Sequence, residues 1–469
     1  MLVMSNDPVF ETLTPYQFLT FTVPNNLHHR CHLHTPRIRF AVLDSPIPVA
    51  VDCIPKIAAM IVPEKRETDW NFCTESGQLQ LLFNFRDLSR LILIGNDLAH
   101  NPQPCVYIRP PATDTVDRLK LEHELQSVVL TLYPKVCFQN GSPKPVFLTY
   151  QDDVLCRVNI AKFFGAFVGE FVIEDVQMES NSDSNKILRR RLRFKISPNL
   201  IQSQVSLIPI LDDGERNTNL DLEILRKMKN VKFEVDPTIL VHPYLTPMVS
   251  GLSLIASHLG NRIQQGVNPR ALCLGVGGGA LLTFLNTQLG FEVVGIDADD
   301  AVLMAAKQYF GLNTENSIKV IVEDAIDVIE NFATKRDTYV SDLQANLDDK
   351  FDVVMVDLDS SDARYGISAP PQEFAKKSFY DGVKLLLRDH GALIMNGVLL
   401  DEVFYMNLIQ ELSDAFYKVY EADIEGEDNF VLVATLSPST SSIDKGCYDF
   451  LDKLRSVIPA DYIESYTEL

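Results

Sequence analysis

Residues 272–279 read Leu-Cys-Leu-Gly-Val-Gly-Gly-Gly, and the apolar run Val293-Val294-Gly295-Ile296 ends in an acid, Asp297. A strand, a glycine turn, a helix, a second strand and a carboxylate, in that order, form a unit that grips an adenosine-bearing ligand. The turn needs glycine because side chains would keep the backbone from approaching the ligand. The carboxylate can take both ribose hydroxyls. Alone the pattern leaves alternatives open. Gly275, Gly277, Gly278 and Gly279 could be a tight turn of structural use only, and with Ala280 they also fit a dinucleotide fingerprint.

The 469 residues are 46% hydrophobic, enough for two or three domains with sizeable cores. No window approaches 18 unbroken apolar residues, so no membrane-spanning helix is expected. Residues 1–20 lack the basic-then-apolar order of a signal peptide. Eight cysteines are scattered without a CxxC, which fits free thiols in a reducing compartment, the cytoplasm, with the nucleus left open. The net charge of −21 is unevenly placed. Residues 1–240 hold 28 acids and 26 bases, whereas residues 241–469 hold 35 acids and 16 bases. Such a field repels nucleic acid and draws a basic partner, although solubility alone would also account for it.

Residues 1–235 alternate short β-rich runs with helical stretches such as Asp117–Leu132, predicting a smaller α+β domain without a cofactor loop of its own. Polar breaks fall at Glu179–Asn185 and Asp212–Asn219. From about 236 to 469, strands and helices alternate, which predicts a doubly wound parallel sheet. Helices are expected at Pro247–Leu259, Ala301–Phe310 and Glu373–Leu387, with a polar insert at 335–350. A closing antiparallel pair near Lys418–Ala422 and Asn429–Leu436 fits a seven-stranded, Rossmann-like class I methyltransferase sheet better than a NAD-binding domain.

Two further groups carry chemistry. Strand Ile318–Val322 leads into Asp324 and Ala325. An acid there can accept the adenine amino group of S-adenosylmethionine (AdoMet) while the next N–H bonds the ring, or it can simply cap the following helix. The buried run Phe351–Val356 opens into Asp357, Asp359 and Asp362 at the edge where open α/β sheets bind ligands. Carboxylates beside a sulfonium can stabilise positive charge and orient or deprotonate an amine, which must be neutral to attack a methyl group. A solvated acidic turn is the bland alternative. The candidate cofactor contacts are thus Gly275, Gly277, Gly278, Gly279, Asp297, Ala298, Asp324, Ala325 and Asp357, and the candidate catalytic pair is Asp357 with Asp359. His28, His29, Cys31, His32 and His34 lack a second ligand pair, so no metal site is expected. Arg189–Arg193 reads as a solvated basic strand face, and Trp70 as core.

At 272–279, 297, 324 and 351–371 the chain resembles class I AdoMet-dependent methyltransferases of the spermidine-synthase-like branch. More closely it is similar to the elongation factor 1-alpha lysine and N-terminal methyltransferase family. The matching stretches include Leu274–Gly279, Ala306–Gly311, Phe351–Asp357, Gly366–Pro371 and Ile424–Gly426, with Val62–Trp70, Phe171–Gln177 and Arg190 through Ser203 upstream. The resemblance implies AdoMet as cofactor, elongation factor 1-alpha as a basic protein partner, and methylation of its N-terminal α-amine. In that reading Asp357 and Asp359 face the methyl group and the amine, and the Arg364–Pro371 loop shapes the peptide entrance. Neither nucleic acid nor membrane is an expected partner, and a homodimer is left open. Two departures matter. Residues 1–240 offer only Leu93-Ile94-Gly95-Asn96-Asp97, with one glycine, so the family's lysine-directed activity is not carried over. The family's acid after the second strand is commonly Glu, and here it is Asp297. Two alternatives stand beside this reading. One is a polyamine aminopropyltransferase, whose acidic loop Asp359-Ser-Ser-Asp362 resembles although Ala363 replaces the expected Pro. The other is a non-catalytic scaffold.

Overall fold

The computed structural model describes residues 8–469 apart from 29–32, 51–52, 86, 101–105, 112–113, 180–185, 212–213, 215–219, 316, 335–349, 361–368, 399–401, 425, 427 and 439–444. The expected insert at 335–350 apart from Lys350, most of the two polar breaks, and Asp362 with most of the Arg364–Pro371 loop therefore lie outside the described residues.

The described strands form three sheets. Strands β1 (Phe18–Pro24), β2 (Arg37–Asp44), β3 (Lys56–Ile61) and β4 (Leu88–Asn96) come first, then β5 (Val106–Ile108) and β6 (Val146–Leu148). Five of them make a mixed sheet in the order β1-β2-β4-β3-β6, in which β3 runs parallel to both β4 and β6. The second sheet is antiparallel in its described pairings. It takes β5, β7 (Val154–Gly165), β8 (Gly169–Met178), β9 (Ile187–Phe194), β10 (Ser203–Leu211) and β11 (Val231–Asp236), in the order β11-β10-β9-β8-β7-β5.

The third sheet carries the glycine turn. It contains β12 (Arg270–Leu274), β13 (Glu292–Asp297), β14 (Ile318–Val322), β15 (Phe351–Val356), β16 (Leu387–Val398), β17 (Lys418–Asp423), β18 (Asn429–Thr435) and β19 (Thr467–Glu468). The order is β14-β13-β12-β15-β16-β18-β17-β19. The pairs from β14 to β16 are parallel, and β18 runs antiparallel to both β16 and β17. Counted along the chain, the first seven strands stand 3-2-1-4-5-7-6, the arrangement of the class I methyltransferase fold. The expected seven strands become eight because β19 adds a two-residue edge. Every residue of β15 is buried, as a strand covered by helices on both faces requires. Chain order reverses at β12, between β13 and β15, so the ligand crevice should open at the carboxyl ends of these strands.

Two helices differ from expectation. The segment expected as one helix, Pro247–Leu259, is split into Leu245–Ser250, a 3-10 turn at Gly251–Ile255 and Ala256–Gln264. The chain is pressed close to the sheet at the break, where a Cβ on Gly251 would lie 2.8 Å from Val433 Cγ2. The helix expected from Glu373 starts only at Lys377, because Lys376 is extended, and Leu387 already belongs to β16.

The second sheet is locked onto the third. Phe171, Ile173, Leu192, Phe194 and Val205 share a core with Ala301, Val302, Ala305 and Phe310, so one face of helix Asp300–Tyr309 packs on the second sheet. Alanines on that face let the helix approach closely. Asp299, wholly buried, caps this helix by accepting from the Ala301 N–H, and its other oxygen accepts from the Phe167 and Val168 N–H groups of the β7–β8 turn at 2.9 and 3.2 Å.

Arg189–Arg193 is not a solvated face. Arg190, Arg191 and Arg193 are buried. Arg190 pairs with Asp175 directly across the β8–β9 ladder at 2.7 Å. Arg193 binds Glu174 at 2.8 Å and Asp69 at 3.3 Å, and Asp69 also takes Arg66 and Arg157 at 2.8 and 2.6 Å. Burial opposes ionisation of Asp69, but the guanidiniums of Arg157, Arg193 and Arg66 prevail and hold its carboxyl well below the usual range. This network ties the loop after β3 to strands β7, β8 and β9. Trp70, as expected, is buried.

Candidate active site

The glycine turn is held from three sides. Gly275, Gly277 and Gly279 all have positive φ, at 92°, 50° and 80°. A Cβ on Gly275 would sit 2.1 Å from the Asp357 carbonyl oxygen, and one on Gly277 would sit 2.5 Å from Ser203 Oγ. Packing against β15 and against the second sheet thus demands glycine here as strictly as a ligand would.

The turn's amides are already occupied. Val276 and Gly277 each donate to Asp297 Oδ2 at 3.1 Å, and Gly278 donates to Ser203 Oγ at 2.7 Å. Gly275 and Gly279 donate to the carbonyls of Ile296 and Val276. A dinucleotide site needs such amides free to receive a pyrophosphate. Here they are spent on a carboxylate and a hydroxyl, which argues against the NAD alternative.

What faces the crevice is a row of acceptors. Asp297 ends β13, Asp324 follows β14, and Asp357 and Asp359 follow β15. Burial pushes the Asp297 carboxyl up, against bonds from the backbone N–H groups of Asp299, Gly277 and Val276. Asp324 is exposed and caps helix Ala325–Thr334, accepting from the Ile326 and Asp327 N–H groups through Oδ1 at 2.8 and 3.2 Å. The capping role is therefore present, and Oδ2 is not used by it. Ala298 and Ala325 lie beside these acids, Ala298 half-buried and Ala325 buried.

Asp357 and Asp359 form the chemically distinctive pair. Burial is the largest influence on each and pushes both carboxyls up to about 6. Mutual repulsion adds to the Asp357 shift. Asn396 Nδ2 donates to Asp357 Oδ1 at 3.3 Å and the Tyr244 hydroxyl donates to Oδ2 at 3.4 Å. Asn429 fixes the Asn396 amide by donating to its Oδ1 at 2.9 Å. Gln202 Nε2 donates to Asp359 Oδ2 at 3.3 Å. Tyr244 in turn stacks on His242, whose ring centroid is 5.3 Å away. Burial depresses His242 to about 4, so this imidazole is neutral at pH 7.

Sequence reasoning brought together the glycine turn, Asp297, Asp324, Asp357 and Asp359, and all of them lie along this edge. It missed Tyr244, Asn396, His242, Gln202 and Ser203 as parts of the site. Gln202 and Ser203 ended one of the stretches shared with the methyltransferase family, which was the available signal. Tyr244 and Asn396 carry none. Of the histidine cluster, His29, Cys31 and His32 lie outside the described residues, and the backbone N–H groups of His28 and His34 donate to Glu124 and Asn96.

The acceptor set fits AdoMet. A wall of carboxylates and amide-spent glycines suits a ligand presenting hydroxyls, an amino group, an ammonium and a sulfonium, and repels one presenting phosphates.

No protein-family model matches the chain. Curated relatives do. The chain is 28% identical over 408 residues to the eEF1A lysine and N-terminal methyltransferase of Xenopus laevis, covering 84% of this chain and 53% of that one. It is 27% identical over 416 residues to the human protein of the same name, covering 86% and 54%. The chain is similar to the eEF1A lysine and N-terminal methyltransferases over most of its own length. It spans about half the length of the relatives it matches. Among solved structures, human methyltransferase-like protein 13 in complex with SAH aligns at 26% identity and a TM-score of 0.39, over 46% of this chain and 92% of that one. A probable spermidine synthase from Corynebacterium glutamicum aligns at 13% identity and a TM-score of 0.40, over 63% and 86%.

Proposed function

We propose that this chain is an AdoMet-dependent protein methyltransferase that acts on the N-terminal α-amine of elongation factor 1A. The observation that carries the reading is the Asp357–Asp359 pair, two carboxyls raised to about 6 on the carboxyl edge of the central strand, next to a glycine turn whose amides exclude a pyrophosphate.

Bound AdoMet would supply an electrophilic methyl group on a sulfonium. Asp297 would hold the ribose hydroxyls, Asp324 the adenine amino group through its free oxygen, and the glycines would let the backbone lie against the methionine moiety. Asp357 and Asp359 are largely ionised at pH 7. They attract the substrate's ammonium, hold its nitrogen in place, and take the proton it must lose before it can attack. Asn396, Tyr244 and Gln202 fix the carboxylate oxygens in position for this.

Magnitude favours an α-amine over a lysine. A carboxylate near 6 takes a proton from an α-ammonium near 8 at a cost of about 2.7 kcal/mol, whereas a lysine near 10.4 would cost about 6 kcal/mol. The acidic character of residues 241–469 suits a basic protein partner.

The test is mass spectrometry of elongation factor 1A after incubation with the chain and isotopically labelled AdoMet. Label on the N-terminal residue supports the reading. Label confined to lysine side chains, or no label while decarboxylated AdoMet and putrescine yield spermidine, contradicts it.

A further inference from the structure

A second cavity opens at the other end of the third sheet. It has a volume of about 670 Å³ and lies between the segment 253–265, the start of β16 and the residues after β18. Its lining brings together His258, Arg262, Lys350, Arg388 and His390.

Behind them sits Asp352, wholly buried on β15. His258 Nε2 lies 2.7 Å from Asp352 Oδ1, Arg262 Nε 3.2 Å and Arg388 Nε 3.5 Å, and the Arg270 N–H donates to Oδ2 at 2.8 Å. One buried carboxylate is thus faced by two guanidiniums and an imidazole. Lys350, exposed, adds a third fixed positive charge without contacting Asp352. Among the described lining residues the only acid, Asp389, is exposed. Among the described residues here, fixed cations therefore outnumber acids, in a half of the chain that as a whole carries 35 acids against 16 bases.

The donors are also underused. The Nε atoms of Arg262 and Arg388 are buried and, although each lies within ion-pair distance of Asp352 Oδ1, make no well-directed hydrogen bond. Among the described residues, the remaining Arg262 contact is a 3.4 Å bond from Nη2 to the Asn268 carbonyl. Buried donors left unmade are costly and call for an explanation. Neutralising Asp352 needs one cation, and the surplus remains. Guanidinium forks beside an ammonium are the donor set that takes a phosphate group, and the volume is that of a small-ligand pocket.

We propose that this cavity binds a small phosphate-bearing anion. The site is separate from the proposed active site. Asp352 and Asp357 stand at opposite ends of β15, roughly 16 Å apart at about 3.3 Å per residue.

The test follows thermal unfolding of the full chain in inorganic phosphate against sodium chloride of matched ionic strength. Phosphate should raise the melting temperature beyond chloride. Arg388→Gln and Lys350→Gln should each weaken the apparent phosphate affinity at least tenfold. Lys350→Gln touches no buried partner, so it should leave the melting temperature in chloride unchanged and keeps the test valid if Arg388→Gln fails to fold. No excess over chloride, or an excess that Lys350→Gln leaves intact, overturns the proposal.

Discussion

The Gly278 N–H donates to Ser203 Oγ at 2.7 Å, across 75 residues of sequence. Strand β10 of the second sheet thereby reaches into the glycine turn of the third, and the next residue back, Gln202, reaches Asp359. The proposed active site is built by two sheets rather than one.

That bond predicts the behaviour of Ser203→Ala. Removing the hydroxyl strands a buried amide, at a cost of about 1–3 kcal/mol. Urea unfolding should show a loss in that range, and calorimetry should show weaker AdoMet binding because the turn is less firmly held. Unchanged affinity would mean that β10 does not order the turn.

Asp69 holds three arginines and should be the most sensitive single position outside the site. Asp69→Asn leaves buried guanidiniums short of their counter-charge, a loss of about 3–5 kcal/mol. The sign of the pH effect follows from its depressed carboxyl. Its contribution is present above the unfolded value near 4 and is lost as pH falls through the folded value. Wild type and variant should therefore converge in stability as the pH is taken well below 4, and differ most near neutrality.

The proposed catalytic pair should show the opposite sign. Asp357 and Asp359 titrate near 6 in the folded protein, above their unfolded values. Stability associated with them is present below about pH 4 and is lost as pH rises through 6. Asp357→Asn should stabilise the protein at pH 8 by on the order of 1 kcal/mol and leave it little changed at pH 4. Melting curves at the two pH values decide this. Equal shifts at both would contradict the burial account of the raised carboxyls.

Much of the third sheet was legible in the sequence because each element announces itself locally. The glycine turn, the largely apolar β15 and the acids at strand ends are short-range patterns, and the parallel sheet follows from their alternation. The arginine run was misread for the same reason. Periodicity shows that Arg190 and Arg193 are charged, but not that Asp175 and Glu174 of the neighbouring strand meet them inside the protein. Tyr244 reaches Asp357 across 113 residues and Asn396 across 39, and nothing near either residue signals that meeting. The split of the segment expected as helix Pro247–Leu259 likewise reflects contact with β18, which no local preference encodes.

The most direct test of the account is the pH dependence of kcat/KM with AdoMet and the N-terminal peptide of elongation factor 1A, for the wild type and for Asp359→Asn. If the carboxylate pair accepts the proton of an α-ammonium, the profile is bell-shaped, with limbs near 6 from the pair and near 8 from the substrate amine. Asp359→Asn should lose about 100-fold or more in rate and shift or flatten the acidic limb. Wild-type turnover in Asp359→Asn with the acidic limb unchanged would contradict it.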